Sequence, residues 1–439
     1  MLSTRRVGHV ILWAAVLGPL LIWAADVPDP PTGRRAADAW ALSALGQLAG
    51  LTGMSMLAVT FVLSARLRWL EDVFGGLDSV YRLHHRLGLW AFGLLVAHPL
   101  LLAGRFLPTQ VERAVLFIFP THNRWAVNLG VYAFWLMALL LLVTVTTWLP
   151  YDKWKISHKG LALVMVGGAV HMWVLESTRG LPVAVAENAG LWWYMTGIVG
   201  VGLLAAGYKT LLLPMLPQAQ YSVSSVERLN DDVLAVHLSP VDDPLDAEPG
   251  QFVFVTFHAD DLSREQHPYT LCGPPDAETE TITVKALGDY TSRLYERLSP
   301  GTRASLEGPY GRFDYRDGGR RQIWIAGGVG VAPFLSWART LAHEREVSRD
   351  IDFYYCVHDR SDAVYQSEFD AIGDELPSVR VALVCSVEEG HLHARDLEGL
   401  DDADIFMCGP KRLTRDLYRQ LRGRGVPPAR IHFEDFEFR

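Results

Sequence analysis

Cysteine is scarce in this chain of 439 residues: there are four, Cys272, Cys356, Cys385 and Cys408, and none falls in the first half. That pattern argues against a disulfide framework and suits a reducing compartment, where thiols stay free. Charge is just as uneven. Residues 1–215 hold 16 Lys/Arg and 10 Asp/Glu, a net of +6, and the remaining 24 and 39 give the rest a net of −15. No basic arm or Lys/Arg-rich patch is present, which removes the electrostatic footprint of a nucleic-acid binder. Internal repeats and low-complexity tracts are also missing, so the chain reads as discrete domains, about two to four by length.

Long apolar sequence is what the first half has in abundance. Six stretches, approximately 7–25, 40–64, 83–104, 126–149, 159–177 and 190–213, approach or exceed the ~20 residues a helix needs to cross a bilayer. The first follows Arg5-Arg6 but has no small-residue cleavage site before Asp26, and five more spans follow it, so a retained helix is expected. Ten loop cations fall on one side of these spans and six on the other. The bias puts both termini in the cytoplasm of a multi-pass (inner) membrane protein, as the cysteine pattern does independently.

Four histidines lie inside these runs, and an ionisable residue in a membrane span is a functional-site hypothesis by default. In "YRLHHRLGLWAFGLLVAHPLL", His84 and His98 are 14 apart, a spacing that returns to within about 40° of the same helix face. His85 would be about 140° off and is the runner-up. In "ISHKGLALVMVGGAVHMW", His158 and His171 are 13 apart. A distortion near Gly167-Gly168, or approach from different sides, has to make up the difference. Two such helices build two stacked sites roughly 20 Å apart, which suits two bis-histidine haems. The carboxylates of a di-iron site are missing. No C-x-x-C-H occurs, so any haem is b-type and held by axial ligands alone. The blander alternative is a set of interfacial or packing histidines. His122 falls in an external loop and is expected to be solvated.

After Pro214 and Pro217 the pattern changes. Short β-like runs with turn residues between them suggest a small antiparallel barrel. From Gln322 a strand, Gly-rich loop and helix alternate, as in a parallel α/β domain. The expected division is a six-helix transmembrane domain at 1–216, a β-barrel at 217–318 and an α/β domain at 319–439. "HPYT" (His267, Pro268, Tyr269, Thr270) offers an aromatic beside a hydroxyl, which suits a flavin ring. "KALGDYT", with Gly288 and Thr291, offers a turn that brings N–H groups to a pyrophosphate. "GPYG" closes the region. "IAGGVGVAPF", with Gly327, Gly328, Gly330 and Pro333, sits between a strand and a helix, where glycines and the helix dipole favour a phosphate. "MCGP" (Cys408, Gly409, Pro410 after Met407) ends a later strand. Arg360 lies where a ribose 2′-phosphate would be read, or is a surface arginine. The chain stops at "HFEDFEFR", whose Phe436 or Phe438 is a candidate to cover a flavin face, with a final edge strand the alternative for Phe438.

Taken together, the histidine pairs, "HPYT" for an HPFT-type motif, "LGDYT", "GPYG", "GGVGVAPF" and "MCGP" resemble the ferric reductase and NADPH oxidase superfamily over nearly the whole chain. The resemblance implies a ferredoxin–NADP reductase-like module behind the six spans. His84 and His158 would hold the inner haem, and His98 and His171 the outer. His267, Pro268, Tyr269, Thr270, Gly288 and Thr291 would bind FAD. Gly327, Gly328, Gly330, Pro333, Cys408, Gly409 and Pro410 would line the NADPH or NADH site, and Phe436 best matches the flavin-facing aromatic. The implied activity is transmembrane transfer from cytosolic NAD(P)H through FAD and two haems to oxygen, giving superoxide, or to a ferric chelate. An electron-delivery subunit for a quinone or periplasmic redox protein is the alternative. Membrane lipid is the expected surrounding; a protein partner is possible but not required. No EF-hand loop is present, so calcium gating is not implied.

Overall fold

The computed structural model describes residues 2–145, 151–174, 188–273 and 278–434. The chain falls into two compact units, Met1–Leu216 and Pro217–Arg439.

Helices dominate the first unit: α1 (Leu2–Asp26), α2 (Arg34–Ser64), α3 (Leu77–Gly104), α4 (Trp125–Val145), α5 (Leu161–Val174) and α6 (Ala189–Gly207). The apolar runs become helices because lipid offers no partner for backbone N–H and C=O groups, which must pair within the segment. Six spans are expected from hydropathy. Among the described residues, five helices are long and apolar enough to cross a bilayer: Arg6–Asp26, Arg34–Ser64, Leu77–Gly104, Trp125–Thr144 and Ala189–Met215. The remaining expected span, 159–177, is represented by α5 with 14 residues, and 175–177 lie outside the described residues. A turn at Gly160 separates α5 from a short helix, Tyr151–Lys159, that carries His158.

α2 is the most buried of these helices, packing along α1, α3 and α6. Small residues let its neighbours come close: a Cβ on Gly202 of α6 would lie 2.8 Å from the Ala58 Cα of α2. Large apolar side chains such as Leu21, Trp90, Leu142 and Trp193 point outward and are exposed, as a lipid-facing surface requires.

The second unit contains two sheets. β1 (Ala219–Arg228), β2 (Val233–Pro240), β3 (Phe252–His258), β4 (His267–Thr270), β5 (Glu280–Lys285) and β6 (Arg303–Tyr310) pair antiparallel in the order β4-β3-β6-β1-β2-β5. A bridge between Leu271 and Ile282 joins the two edges, so the sheet curls into a nearly closed barrel. Helix α7 (Asp289–Arg297) links β5 to β6. The second sheet is wholly parallel, in the order β11-β10-β7-β8-β9, with β7 at Arg321–Gly327, β8 at Asp350–Val357, β9 at Val379–Cys385, β10 at Asp404–Cys408 and β11 at Ile431–Glu434. Helices α8 (Ala332–Glu344), α9 (Gln366–Glu375) and α10 (Lys411–Gly423) connect its strands. The chain runs outward from β7 to β9 and then returns to β10 beside β7. The switch point, where such sheets bind ligands, therefore lies between the ends of β7 and β10.

Burial at the start of β5 pushes the Glu280 carboxyl up from 4.5 to about 7. The folded state thus holds that proton more tightly than the unfolded chain, a stabilisation fully present below pH 4.5 and lost as the pH rises through 7. The stability of Glu280→Gln relative to the parent chain is expected to rise between pH 5 and pH 8 by on the order of 1–3 kcal/mol. Thermal unfolding of the full chain at both pH values checks this; a difference that ignores pH would remove the carboxyl as its cause.

Candidate functional site

Two histidines of α3, His84 and His98, each face one from the fifth expected span. His84 lies opposite His158 with ring centroids 6.2 Å apart, and His98 opposite His171 at 6.5 Å. His85 is exposed, so the 14-residue spacing selects the ring that faces a partner. The 13-residue spacing is accommodated at Gly160, where the helix is interrupted between His158 and His171. Gly167 and Gly168 do not break the helix; a Cβ on them would sit 3.3 Å from Ala133 and 3.2 Å from Met54, so they are packing glycines.

Three of the four rings are anchored in the same way. His84 Nδ1 lies 2.8 Å from Thr60 O, His98 Nδ1 2.7 Å from Gly46 O, and His171 Nδ1 2.6 Å from Ala126 O. A carbonyl only accepts, so Nδ1 carries the proton and Nε2 is left with its lone pair. Glycine makes two of these bonds accessible. A Cβ on Gly50 would lie 2.6 Å from His98 Nδ1, and one on Gly130 2.7 Å from His171 Nδ1. Gly50 and Gly130 each stand four residues after the accepting carbonyl, on the helix face the ring crosses. Nothing in the spacing of histidines points to either glycine. His158 differs: its ring stacks on Trp154 at 5.4 Å and 14°, and its buried Nδ1 has no hydrogen-bond partner among the described residues.

Around His98 and His171 is a largely apolar cavity, lined also by Leu51, Met54, Leu95, Phe134 and Val164, with Gln47, Arg105 and His122 as polar members. Arg105 donates to Ser43 Oγ at 3.2 Å and lies over the Phe106 and Phe117 rings. His122, expected in solvent, is half-buried at this cavity instead. Asn128 bonds its backbone N–H and C=O, and its ring meets Phe117 edge-on at 5.6 Å. Loop assignment alone could not place it there.

In the barrel, "HPYT" and "LGDYT" meet through a stack of His267 on Tyr290, 4.5 Å apart and 12° from parallel. His267 Nε2 also lies 3.1 Å from Glu265 Oε2. Pro268 pairs with Phe254 across β3 and Thr270 is buried. The Tyr269 hydroxyl is buried with no partner among the described residues, and burial holds its pKa well above the ordinary phenol range. Thr291 is committed locally: its Oγ1 accepts from Leu287 N and Gly288 N, both at 3.0 Å, closing the start of α7. Gly288 has open space where a Cβ would be. Two carboxylates join the site that motif reading did not name. Glu307 accepts from Gln266 Nε2 and the Tyr310 hydroxyl, both at 2.8 Å. Glu434, buried at the end of β11, has its Oε1 3.3 Å from a Cβ built on Gly311 of "GPYG". Phe436 and Phe438 lie outside the described residues.

At the switch point the glycines divide into two kinds. Gly327 and Gly409 oppose each other so closely that a Cβ on Gly409, at φ +150°, would fall 2.8 Å from Gly327 Cα. A Cβ on Gly330 would lie 2.6 Å from Cys408 O. These three fit the β7 and β10 ends together. Gly328, at φ +54°, faces open space and leaves the loop backbone approachable. Pro333 and Cys408 are buried, and Pro410 precedes α10. Arg360 lies apart, on the turn after β8, with its exposed guanidinium paired to Glu388.

Three protein families match the chain: a ferric reductase like transmembrane component over residues 49–169, an FAD-binding domain over 218–314, and an oxidoreductase NAD-binding domain over 324–418. Among curated relatives, the ferredoxin–NAD(P)(+) reductase CarAd of Metapseudomonas resinovorans is 29% identical over 51% of this chain and 71% of its own length. A flavohemoprotein of Pseudomonas putida is 26% identical over 48% of this chain and 57% of its own. Of solved structures, flavohemoglobin from Malassezia yamatoensis with bound FAD and heme aligns over 91% of this chain and 98% of its own, at 16% identity and a TM-score of 0.52. That last match is a likeness of fold alone.

Thr291→Val removes the acceptor that closes α7, and a loss of about 1 kcal/mol is expected. Thr291→Ser keeps the hydroxyl and most of the stability. Thermal unfolding of the two variants distinguishes a cap from a residue needed only for ligand: equal melting of Val and Ser variants would exclude the cap.

Proposed function

This chain belongs to the ferric reductase and NADPH oxidase superfamily, and we propose that it carries electrons across the bilayer, from cytosolic NAD(P)H to a small-molecule acceptor on the far face. The observation that carries this reading is the spacing of the two imidazole pairs. Metal–imidazole bonds of about 2 Å, plus about 1.1 Å from each nitrogen to its ring centre, require centroids about 6.3 Å apart. Separations of 6.2 and 6.5 Å fit an iron between each pair. Nδ1–carbonyl anchoring is also the outer contact that metal-bound histidines make. On this reading His84 with His158 and His98 with His171 hold two b-type haems.

Bound at these sites, FAD would supply the change from two-electron to one-electron transfer and the haems would supply one-electron transfer. The chain's own residues hold and orient. The carbonyl anchors keep three rings from rotating, and the apolar lining keeps water from the outer pair. His267, Pro268, Tyr269 and Thr270, with Gly288 at the start of α7, hold FAD; the orphaned Tyr269 hydroxyl is the kind of buried polar atom a ligand satisfies. Thr291 supports that site by fixing the turn. Gly328 presents backbone to the dinucleotide phosphates, while Gly327, Gly330, Pro333, Cys408, Gly409 and Pro410 shape the crevice. Phe436 is the flavin-facing aromatic by resemblance. The acceptor is oxygen or a ferric chelate.

Purified full chain given NADH or NADPH is expected to show a reduced-minus-oxidised b-type spectrum, with haem stoichiometry of two. His98→Ala and His171→Ala are each expected to lower it to one and to stop acceptor reduction. Superoxide or iron(II) formation without added protein supports the small-molecule acceptor. Haem reduction that stalls until a quinone or redox protein is added would assign the chain to electron delivery, and a preparation with no b-type spectrum would end the proposal.

A further inference from the structure

We propose that the Arg360–Glu388 pair makes this chain select NADH over NADPH, with Glu388 setting the choice; the inference rests on the hydride-donor reading above. In sheets of this kind the adenosine ribose is read by side chains beyond the strand next to the phosphate-binding one. Here that strand is β8, which pairs with β7 through Gly327 and Cys356 and runs into His358, Asp359 and Arg360.

Arg360 is clasped rather than waiting. Its Nε donates to Glu388 Oε1 at 2.9 Å and Oε2 at 3.0 Å, and its Nη2 donates to Oε2 at 2.7 Å. Backbone geometry brings the partners together from two strands. Asp359 closes the Arg360 turn by accepting from Ser361 N at 3.0 Å and Ser361 Oγ at 2.9 Å. The turn bearing Glu388 is tied to β8 by Ser386 N donating to Val357 O at 3.0 Å. Glu388 holds Arg360 firmly in its charged form, and Arg360 in turn keeps the Glu388 carboxyl below its ordinary range. Glu389 and Asp359 also act electrostatically on this pair, so one guanidinium stands among three carboxylates.

A ribose 2′-phosphate, with about −1.5 to −2 charges, has to displace Glu388 and settle beside Asp359 and Glu389. A ribose diol is neutral and donates O–H bonds to a carboxylate, the acidic-residue recognition typical of NAD sites. The pair is open to solvent, with side chains 61% and 42% exposed. Such pairs contribute little to stability, so Glu388 can be replaced without unfolding the domain, and the selectivity it gives is moderate.

The test uses the full chain in detergent with its flavin bound. Anaerobic stopped-flow follows flavin reduction by NADH and by NADPH, and calorimetry follows binding of 5′-AMP and 2′,5′-ADP, which needs no turnover. The parent chain is expected to favour NADH and 5′-AMP by about tenfold, and Glu388→Gln to move both ratios about tenfold toward the phosphorylated ligand. Adding Arg360→Ala to Glu388→Gln should erase that gain. Equal or better use of NADPH by the parent chain, or unchanged ratios in Glu388→Gln, overturns the inference and leaves the relay standing. Flavin reduction by neither nucleotide overturns the hydride-donor reading itself, and the inference with it.

Discussion

An imidazole inside a membrane bundle has two nitrogens to satisfy, and the first unit is arranged around that requirement. Leaving a buried polar atom unpaired costs the full desolvation of that atom, and lipid supplies no substitute. α2 and α4 meet the need by lending carbonyls that already close their own helical turns: Gly46 and Thr60 on α2, Ala126 on α4. Gly50 and Gly130 keep side chains out of the way of the arriving rings. With Nδ1 engaged, each anchored ring keeps Nε2 as its acceptor nitrogen, in a ring whose centroid lies 6.2 or 6.5 Å from that of the facing histidine. Chemistry and packing are thus decided by the same contacts.

The second unit solves a different problem, that of bringing loops from separate strands within reach of one ligand. Backbone does this where side chains would intrude. Gly327, Gly330 and Gly409 seat the ends of β7 and β10 against each other, while the barrel joins its two motifs through the His267–Tyr290 stack. Both sheets present strand ends, the places where backbone groups run out of partners and become available to a ligand.

Long-range order along the chain was legible wherever one period or one motif carried it. Hydropathy marks the helices, strand–glycine–helix alternation marks the parallel sheet, and a 14-residue spacing singles out His84 over His85. What stayed hidden depends on partners distant in sequence. The interruption at Gly160 is written as a single glycine among several, and Gly167-Gly168 carries the stronger local signal for a break. His122 reads as a loop histidine until Asn128 and Phe117 hold it against the cavity around His98 and His171. The Thr291 hydroxyl looks available in "LGDYT" but is consumed by two N–H groups of its own turn. Glu307 and Glu434 belong to no motif, and only folding brings Glu434 beside Gly311.

The anchors on α2 and the rings on α3 share one measure. Gly46 and Thr60 are 14 residues apart, as are His98 and His84, and the pairs run in opposite directions along the two helices. Deleting a single residue between Gly46 and Thr60 would swing one carbonyl by about 100° relative to the other, so that one ring or the other would lose its acceptor. The two helices behave as matched gauges, and their lengths can drift only in concert. A membrane segment that reads as generic greasy filler is held to its count of residues by a pair of hydrogen bonds.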